Sequence, residues 1–250
     1  MNGAASPDSS SSGERLVAVA VDLDRTLLPP DGTAVRAASR VLSHVQRMGL
    51  QVVLVSGREH SVLSTFADRL GHVDGLVAEN GAVVEVPLGG RVRVIGRSTG
   101  VRVRQRLARA RWTQVEYGEV VASLPRAMRP KVVAVLKGLQ VDIVPNVDRV
   151  MVLPKGVSKA TGMQLALAAL ELSARPFAAI GDGENDLSLL RTATLSAAVR
   201  NAQPRVLESV DYVCRASFGA GVAEFVRGPL AEALGNPTRA SPRRGIRGVD

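Results

Sequence analysis

Short runs of consecutive apolar residues alternate along the chain with longer segments in which apolar residues recur every three or four positions. The unbroken runs are typical of strands that are covered on both faces, as in a parallel sheet. These predicted strands are Leu16–Val21, Val52–Val55, Leu76–Ala78, Phe177–Ile180 and Leu195–Val199. Helical spacing predicts helices that end at Gly49 and at Gly71, and a third over residues 163–172. This alternation predicts an α/β fold with a doubly wound, Rossmann-like parallel sheet.

The stretch between residues 83 and 153 breaks the alternation. Its apolar pattern predicts a hairpin over 83–95, a basic helix near 101–112, a strand near 115–124, a helix near 125–139 and strands near 141–144 and 150–153. We predict a small α/β cap domain at 83–153, inserted into a core made of residues 15–82 and 154–235. The polar residues 1–14 and the basic residues 236–250 are predicted to be disordered tails.

The charge of the chain is concentrated in one segment. The 250 residues carry a net charge of +9, and between Arg91 and Lys131 there are eleven basic and two acidic residues. This local excess equals that of the whole chain and predicts an anionic partner. The single cysteine, Cys214, cannot form an internal disulfide, and no apolar run reaches the roughly 20 residues of a membrane helix. We therefore expect a cytoplasmic protein without a membrane partner.

Polar residues directly follow the predicted strands. The first run ends in Asp22-Leu23-Asp24-Arg25-Thr26, the second in Ser56-Gly57-Arg58 and the fourth in Gly181-Asp182-Gly183-Glu184-Asn185-Asp186. Lys159 opens a helix just after the insertion. Because ligands of parallel sheets bind at the carboxyl ends of the strands, we expect these groups to converge at one edge.

These residue types suit phosphoryl transfer. Magnesium prefers carboxylates, waters and phosphate oxygens, and Asp22, Asp182 and Asp186 are candidate ligands. A carboxylate beside the metal can attack phosphorus, and a second carboxyl two residues later can protonate the leaving oxygen and then activate water. Ser56 and Lys159 can bind the phosphoryl oxygens in the transition state.

The motifs in this order resemble the haloacid dehalogenase-like hydrolase superfamily, over roughly Leu16 to Leu234. The resemblance implies a magnesium-dependent phosphatase in which Asp22 is the nucleophile and Asp24 is the general acid and base. It implies Mg²⁺ ligands at Asp22, Asp182 and Asp186 and at the main-chain carbonyl of Asp24. It makes Lys159 the catalytic cation, and it implies phosphate binding or orientation by Thr26, Ser56, Gly57, Arg58 and Asn185.

The insertion between the strand end Glu79-Asn80-Gly81-Ala82 and Lys159 resembles the α/β cap of the Cof-like, or IIB, subgroup. Its short length and the late stretch Gly219-Ala220-Gly221-Val222-Ala223-Glu224 look most similar to archaeal-type phosphoglycolate phosphatases. The resemblance therefore implies a small anionic phosphate ester as substrate, either phosphoglycolate or a sugar phosphate.

Several alternatives stay open at this point. Arg25 stands where the superfamily usually has glycine, and Lys155 is a second candidate for the cationic role. Arg102, Arg106 and Arg109 share one face of the basic helix, which is either solvated or turned towards an anionic substrate; we expect no nucleic-acid partner, because aromatic residues do not interleave with the basic ones. The alternative functions are a phosphoacceptor signalling domain and a non-catalytic polyanion-binding module.

Overall fold

The structure, a computed structural model, describes residues 15–235. The predicted tails at 1–14 and 236–250 lie outside the described residues. The strands are β1 (Ala18–Asp22), β2 (Gln51–Val55), β3 (Gly75–Ala78), β4 (Val83–Glu85), β5 (Val92–Val94), β6 (Glu116–Tyr117), β7 (Ala122–Pro125), β8 (Val141–Asn146), β9 (Arg149–Pro154), β10 (Phe177–Gly181), β11 (Leu195–Ala198) and β12 (Tyr212–Val213).

Helices connect most of these strands. They are α1 (Val35–Arg47), α2 (His60–Leu70), α3 (Arg97–Arg109), α4 (Arg129–Val135), α5 (Lys159–Ala169), α6 (Leu187–Thr192), α7 (Pro204–Leu207), α8 (Phe218–Phe225) and α9 (Ala231–Gly235). Short 3₁₀ turns lie at Glu79–Gly81, Arg126–Met128 and Glu184–Asp186, and a π-helical turn joins α8 to α9. Within residues 15–235, none of the helices has the length and apolar character needed to cross a bilayer.

The larger sheet has the strand order β12-β11-β10-β1-β2-β3-β4-β5. The first six strands in this order are parallel, and the hairpin β4–β5 extends the sheet in antiparallel fashion. Strands and helices alternate as the apolar pattern predicts, so the doubly wound α/β prediction for the core is confirmed.

Apolar side chains cover both faces of this sheet. In β1, Val19 and Val21 face the core formed with α1, α2 and α8. Ala18 and Ala20 face the opposite core, formed with α5 and α6. Because successive strand residues point to opposite faces, an unbroken apolar run is the pattern that a strand buried between two helix layers requires.

A second, four-stranded antiparallel sheet has the order β6-β7-β9-β8. Helices α3 and α4 cover one face of it through a small apolar core, which includes Val103, Leu107 and Val132. The opposite face carries Met151 and Leu153, which pack with Val120 and Val121 of the turn between β6 and β7. We call this sheet with α3 and α4 the cap.

Three local predictions differ from the structure. The predicted strand at 115–124 is two antiparallel strands, β6 and β7, because the chain turns at Gly118–Val121 and the Gly118 amide donates to the Val121 carbonyl. Helix α3 begins at Arg97, one turn earlier than predicted. The hairpin β4–β5 pairs with the large sheet rather than with the cap sheet. The domain boundaries at 83 and 153 stay a prediction.

Candidate active site

The register of the large sheet brings the three strand-end motifs together. Asp22 at the end of β1 pairs with Val55, which directly precedes Ser56. Val21 pairs with Ile180 of β10, so Asp182 follows one residue beyond the same edge. The motifs therefore meet because the central parallel strands end at the same level.

Lys159 lies at the centre of this edge and is only 1% exposed. Its Nζ donates to Asp22 Oδ1 at 2.6 Å and also to Asp186 Oδ1. The capping box of Ser158 and Thr161 fixes the start of α5 and thereby the direction of Lys159. Lys155, the alternative cation, is exposed four residues earlier.

Three carboxylates cluster at this edge. Asp22, Asp182 and Asp186 are buried, and one oxygen of each lies within 4.8 Å of the others. Asp186 also accepts the backbone N–H groups of Asp182 and Gly183, at 3.1 and 2.9 Å, which holds the turn at 184–186 in place. Thr26 is fully buried and donates to Asp182 Oδ1 at 3.0 Å.

Burial and the neighbouring carboxylates shift the pKa values of these groups. Burial and the nearby Asp186 raise the pKa of Asp22 well above its ordinary value, although Lys159 opposes this. Burial and Asp186 likewise raise the pKa of Asp182 to about 6. Burial alone would lower the pKa of Lys159, but Asp186 and Asp22 raise it, so the lysine stays charged.

The donor set fits a divalent cation. Three buried carboxylates face a single buried ammonium group, and buried charges require compensation. The donors are hard oxygens, which magnesium prefers, and no sulfur or imidazole group belongs to the cluster. Asp22, Asp182 and Asp186 are therefore the residues that would hold such an ion.

Asp24 is oriented differently from these carboxylates. Arg58 binds it in bidentate fashion, with Nη2–Oδ1 at 2.6 Å and Nε–Oδ2 at 2.8 Å. Ser56 Oγ lies 3.4 Å from Asp24 Oδ2 and accepts the N–H of Arg58 at 3.1 Å. The predicted phosphate ligands Ser56 and Arg58 thus contact the predicted general acid. The role of the Asp24 main-chain carbonyl stays a prediction.

Two residues beyond the predicted set reach the site. Asn80 Oδ1 accepts from the Asn185 amide at 3.0 Å, and its own amide lies 2.7 Å from the sulfur of Met151. An added Cβ at Gly57 would lie 3.3 Å from both Asn80 and Met151. Asn80 belongs to a strand end that the sequence marks, whereas no sequence signal marks Met151 of the cap.

The edge of the large sheet at which Asp22, Ser56, Lys159 and Asp182 meet is called the catalytic edge. The cap faces this edge with one side of its own sheet. Met151 points towards Gly57, and β8 lies against the turn at 184–186. Helix α3 covers the other side of the same sheet, because its Val103 and Leu107 pack with Val152, the neighbour of Met151.

This position of α3 favours the solvated-face interpretation of Arg102, Arg106 and Arg109 over the one in which they face the substrate. All three arginines are exposed. Helix α3 lies on the side of the cap sheet away from the catalytic edge.

Arg25 adopts a left-handed backbone conformation with φ of 62°. Glycine enters this region without strain, which is a physical reason for glycine to be usual there. The Arg25 side chain is 41% exposed, and its Nε lies 3.4 Å from Asp182 Oδ2. Arg25 therefore adds a cation beside one of the three clustered carboxylates.

A family model of haloacid dehalogenase-like hydrolases matches residues 19–92 and 145–226. The matched segments make up more than half of the chain and contain Asp22, Ser56, Lys159 and Asp182. The unmatched residues between them include α3 and α4.

Proteins named phosphoglycolate phosphatase are similar over nearly the whole described chain. The one from Methanothermobacter thermautotrophicus is 28% identical over 216 residues, which cover 84% of this chain and 97% of that protein. The one from Halorubrum lacusprofundi is 31% identical over 218 residues, with coverages of 82% and 93%.

The fold is shared with solved structures. A sugar phosphatase of haloacid dehalogenase subclass IIB superposes with a TM-score of 0.66 at 18% identity, covering 88% of this chain and 99% of that one. This likeness confirms the predicted architecture of a Rossmann-like core with a cap.

Proposed function

The chain belongs to the haloacid dehalogenase-like hydrolases and is a phosphatase, and we propose that it hydrolyses a small phosphate monoester through an aspartyl-phosphate on Asp22. The resemblance inferred from the four motifs is confirmed by the family match. Membership in a hydrolase family favours this function over a phosphoacceptor signalling domain or a non-catalytic polyanion-binding module.

The arrangement of Asp22, Asp182 and Asp186 around Lys159 carries the proposal. The Asp22 carboxylate lies at the end of a buried strand with one oxygen bound to Lys159. The lysine holds the direction of the carboxylate and leaves its second oxygen for attack on phosphorus. Lys159 also neutralises charge that would otherwise repel an anionic ester.

In the first half-reaction an Asp22 oxygen attacks phosphorus and the ester P–O bond breaks. The leaving oxygen then needs a proton, and Asp24 supplies it. Arg58 and Ser56 hold the Asp24 carboxyl in a fixed orientation before it donates.

In the second half-reaction water attacks the same phosphorus atom. Asp24, now ionised, accepts a proton from this water, and the bond between phosphorus and Asp22 breaks. Inorganic phosphate leaves and both carboxyl groups return to their starting states. The proposal assigns to Asn185, which donates to Asn80, the orientation of the phosphoryl group.

Mg²⁺ is the proposed cofactor, held by the carboxylates of Asp22, Asp182 and Asp186. When bound, it neutralises phosphoryl charge and supplies Lewis-acid polarisation. Thr26 orients Asp182 through its hydroxyl group, and Lys159 orients Asp186.

Phosphoglycolate or a small sugar phosphate is the proposed substrate. The relatives named phosphoglycolate phosphatase support the first, and the structural neighbour named as a sugar phosphatase supports the second. The approach of Met151 to Gly57 and Asn80 favours a small leaving group, because the cap lies close to the predicted phosphate-binding residue Gly57.

Phosphate release from a panel of metabolite phosphates, with magnesium and with chelator, tests this function. The panel contains 2-phosphoglycolate, sugar phosphates and p-nitrophenyl phosphate. We expect magnesium-dependent release with one metabolite class preferred. Release that is unchanged by chelator, or absent for every ester with folded protein, would contradict the proposal.

A further inference from the structure

A buried carboxylate of the core, Glu79, binds backbone amides of the cap. Glu79 follows β3 and is only 2% exposed. Its Oε1 accepts the N–H of Glu119 at 2.7 Å, and its Oε2 accepts those of Val120 and Val121 at 2.9 and 2.8 Å. These donors form the cap turn between β6 and β7, so one side chain satisfies three consecutive amides of the other sheet.

The backbone of Glu79 and the lack of a side chain at Gly118 both suit this contact. Glu79 and Asn80 have φ values of 48° and 52°, in the left-handed region that non-glycine residues rarely adopt. On the cap side, a Cβ added to Gly118 would lie 2.6 Å from the carboxyl carbon of Glu79. Arg104 of α3 also contacts this turn, because it donates to the Gly118 carbonyl at 2.7 Å.

The cap turn bound by Glu79 also packs against residues that reach the catalytic edge. Val120 and Val121 pack with Met151, whose sulfur approaches Gly57 and Asn80. Asn80, the next residue after Glu79, binds Asn185. One turn of the core therefore contacts the cap through Glu79 and the catalytic edge through Asn80.

We propose that Glu79 is a positioning residue that sets the height of the cap over the catalytic edge, through its bonds to the amides of residues 119–121. Its effect on substrates passes through Val120, Val121 and Met151 and not through contact with the phosphoryl group. The kinetic part of this inference rests on the proposed phosphatase reaction. The structural part does not, because amide exchange reports the bonds in the resting protein.

The first variant is Glu79→Gln, which keeps the shape but turns one acceptor into an N–H₂ group facing a backbone donor. We expect amide exchange at residues 119–121 to rise about tenfold or more. We expect KM for the ester preferred in the panel to rise about tenfold while kcat falls less. For p-nitrophenyl phosphate, which has no group matched to the cap, KM should change less than threefold.

The second variant is Gly118→Ala, which perturbs the same contact from the cap and leaves the carboxylate intact. Gly118 does not have a positive φ, so the added methyl group acts through its collision with Glu79. We expect the same selective rise in KM. Because both changes break one contact, the double variant should be little worse than either single one. If Glu79→Gln fails to fold, Gly118→Ala carries the test.

Glu224→Gln is the matched control. Glu224 also accepts backbone amides, those of Arg215 and Ala216 at 3.1 Å, but both partners lie beside the large sheet. This variant should leave the ratio of the two KM values unchanged. Equal losses for both esters in all variants, or unchanged exchange at residues 119–121 in Glu79→Gln, would overturn the inference. Wild-type protein without phosphatase activity would instead reject the proposed function and leave the exchange result valid.

Discussion

Charged side chains are buried at the catalytic edge but exposed on the outer face of the cap. At the edge, one lysine and three carboxylates are buried together, and each is held by named partners. On the outer face of the cap, Arg102, Arg106 and Arg109 of α3 are exposed to solvent. The segment from Arg91 to Lys131 carries an excess equal to the net charge of the chain, yet the candidate site forms at the strand ends, where three buried carboxylates face one buried lysine. Burial, and not the number of charges, separates a site from a solvated surface.

Replacement of Lys159 by Met should produce the largest effect. It leaves Asp22 and Asp186 buried without their cation, which costs roughly 3–5 kcal/mol in comparable cases. We expect phosphate release to fall by at least about 10³-fold and urea unfolding in chelator to shift to lower concentration.

Lys155→Met is the matched control, because Lys155 is an exposed lysine at the cap end of the same loop. It should change stability by less than about 0.5 kcal/mol and leave turnover intact. Equal losses of phosphate release in both variants would contradict the assignment of the cationic role to Lys159.

The stability of the metal-free protein should fall as pH rises. Burial, together with Asp186, raises the pKa of Asp182 to about 6, above its unfolded value of about 3.9. The folded state therefore binds the extra proton, and its contribution is fully present below about pH 4 and lost as pH rises through 6. For Asp182 the loss amounts to about 3 kcal/mol.

Urea unfolding in chelator between pH 4 and pH 7 measures this slope. Asp182→Asn should flatten it, and added magnesium should restore stability at pH 7. A slope that is identical in wild type and Asp182→Asn would show that Asp182 does not carry the buried charge.

Arg25→Gly should have a smaller effect. It relieves a left-handed backbone and is expected to raise the unfolding free energy by up to about 1 kcal/mol. It also removes the cation beside Asp182, so half-maximal activity should need less magnesium. Arg25→Lys keeps both the left-handed backbone and the positive charge, and it should resemble wild type. If Arg25→Gly needs as much magnesium as wild type, the Arg25 charge does not compete with the metal ion.

Changes on the outer face of the cap should have the smallest effects. We expect the triple variant Arg102→Gln, Arg106→Gln and Arg109→Gln to change KM by less than about twofold, because exposed charges lie beyond the cap sheet and are screened. Steady-state kinetics with the preferred ester provides the check. A tenfold rise in KM would instead show that these arginines take part in substrate recognition.

The catalytic edge was largely predictable from sequence because its signals are local. Each motif directly follows a buried apolar strand, and parallel strands end together, so Asp22, Ser56 and Asp182 could be placed at one edge without a structure. The capping pattern at Lys159 likewise follows from neighbouring residues.

The joint between core and cap was not predictable, because its partners are far apart in the chain. Glu79 meets amides about forty residues later, and Asn80 meets Asn185 across 105 positions. No periodicity encodes such contacts. The split of the predicted strand at 115–124 has the same origin, since the turn at Gly118 fits the Glu79 carboxylate and not a local apolar pattern.

Identification of the residue that becomes phosphorylated tests the account most directly. Asp24→Asn should slow hydrolysis of the intermediate, while p-nitrophenyl phosphate does not require a proton donor for its leaving group. Rapid acid quench, borohydride reduction and peptide mass spectrometry would then locate the phosphorylated aspartate. The account predicts reduction of residue 22 to homoserine, and its loss in an Asp22→Asn, Asp24→Asn double variant. Phosphate bound to another residue, or near-normal turnover by Asp22→Asn alone, would contradict it.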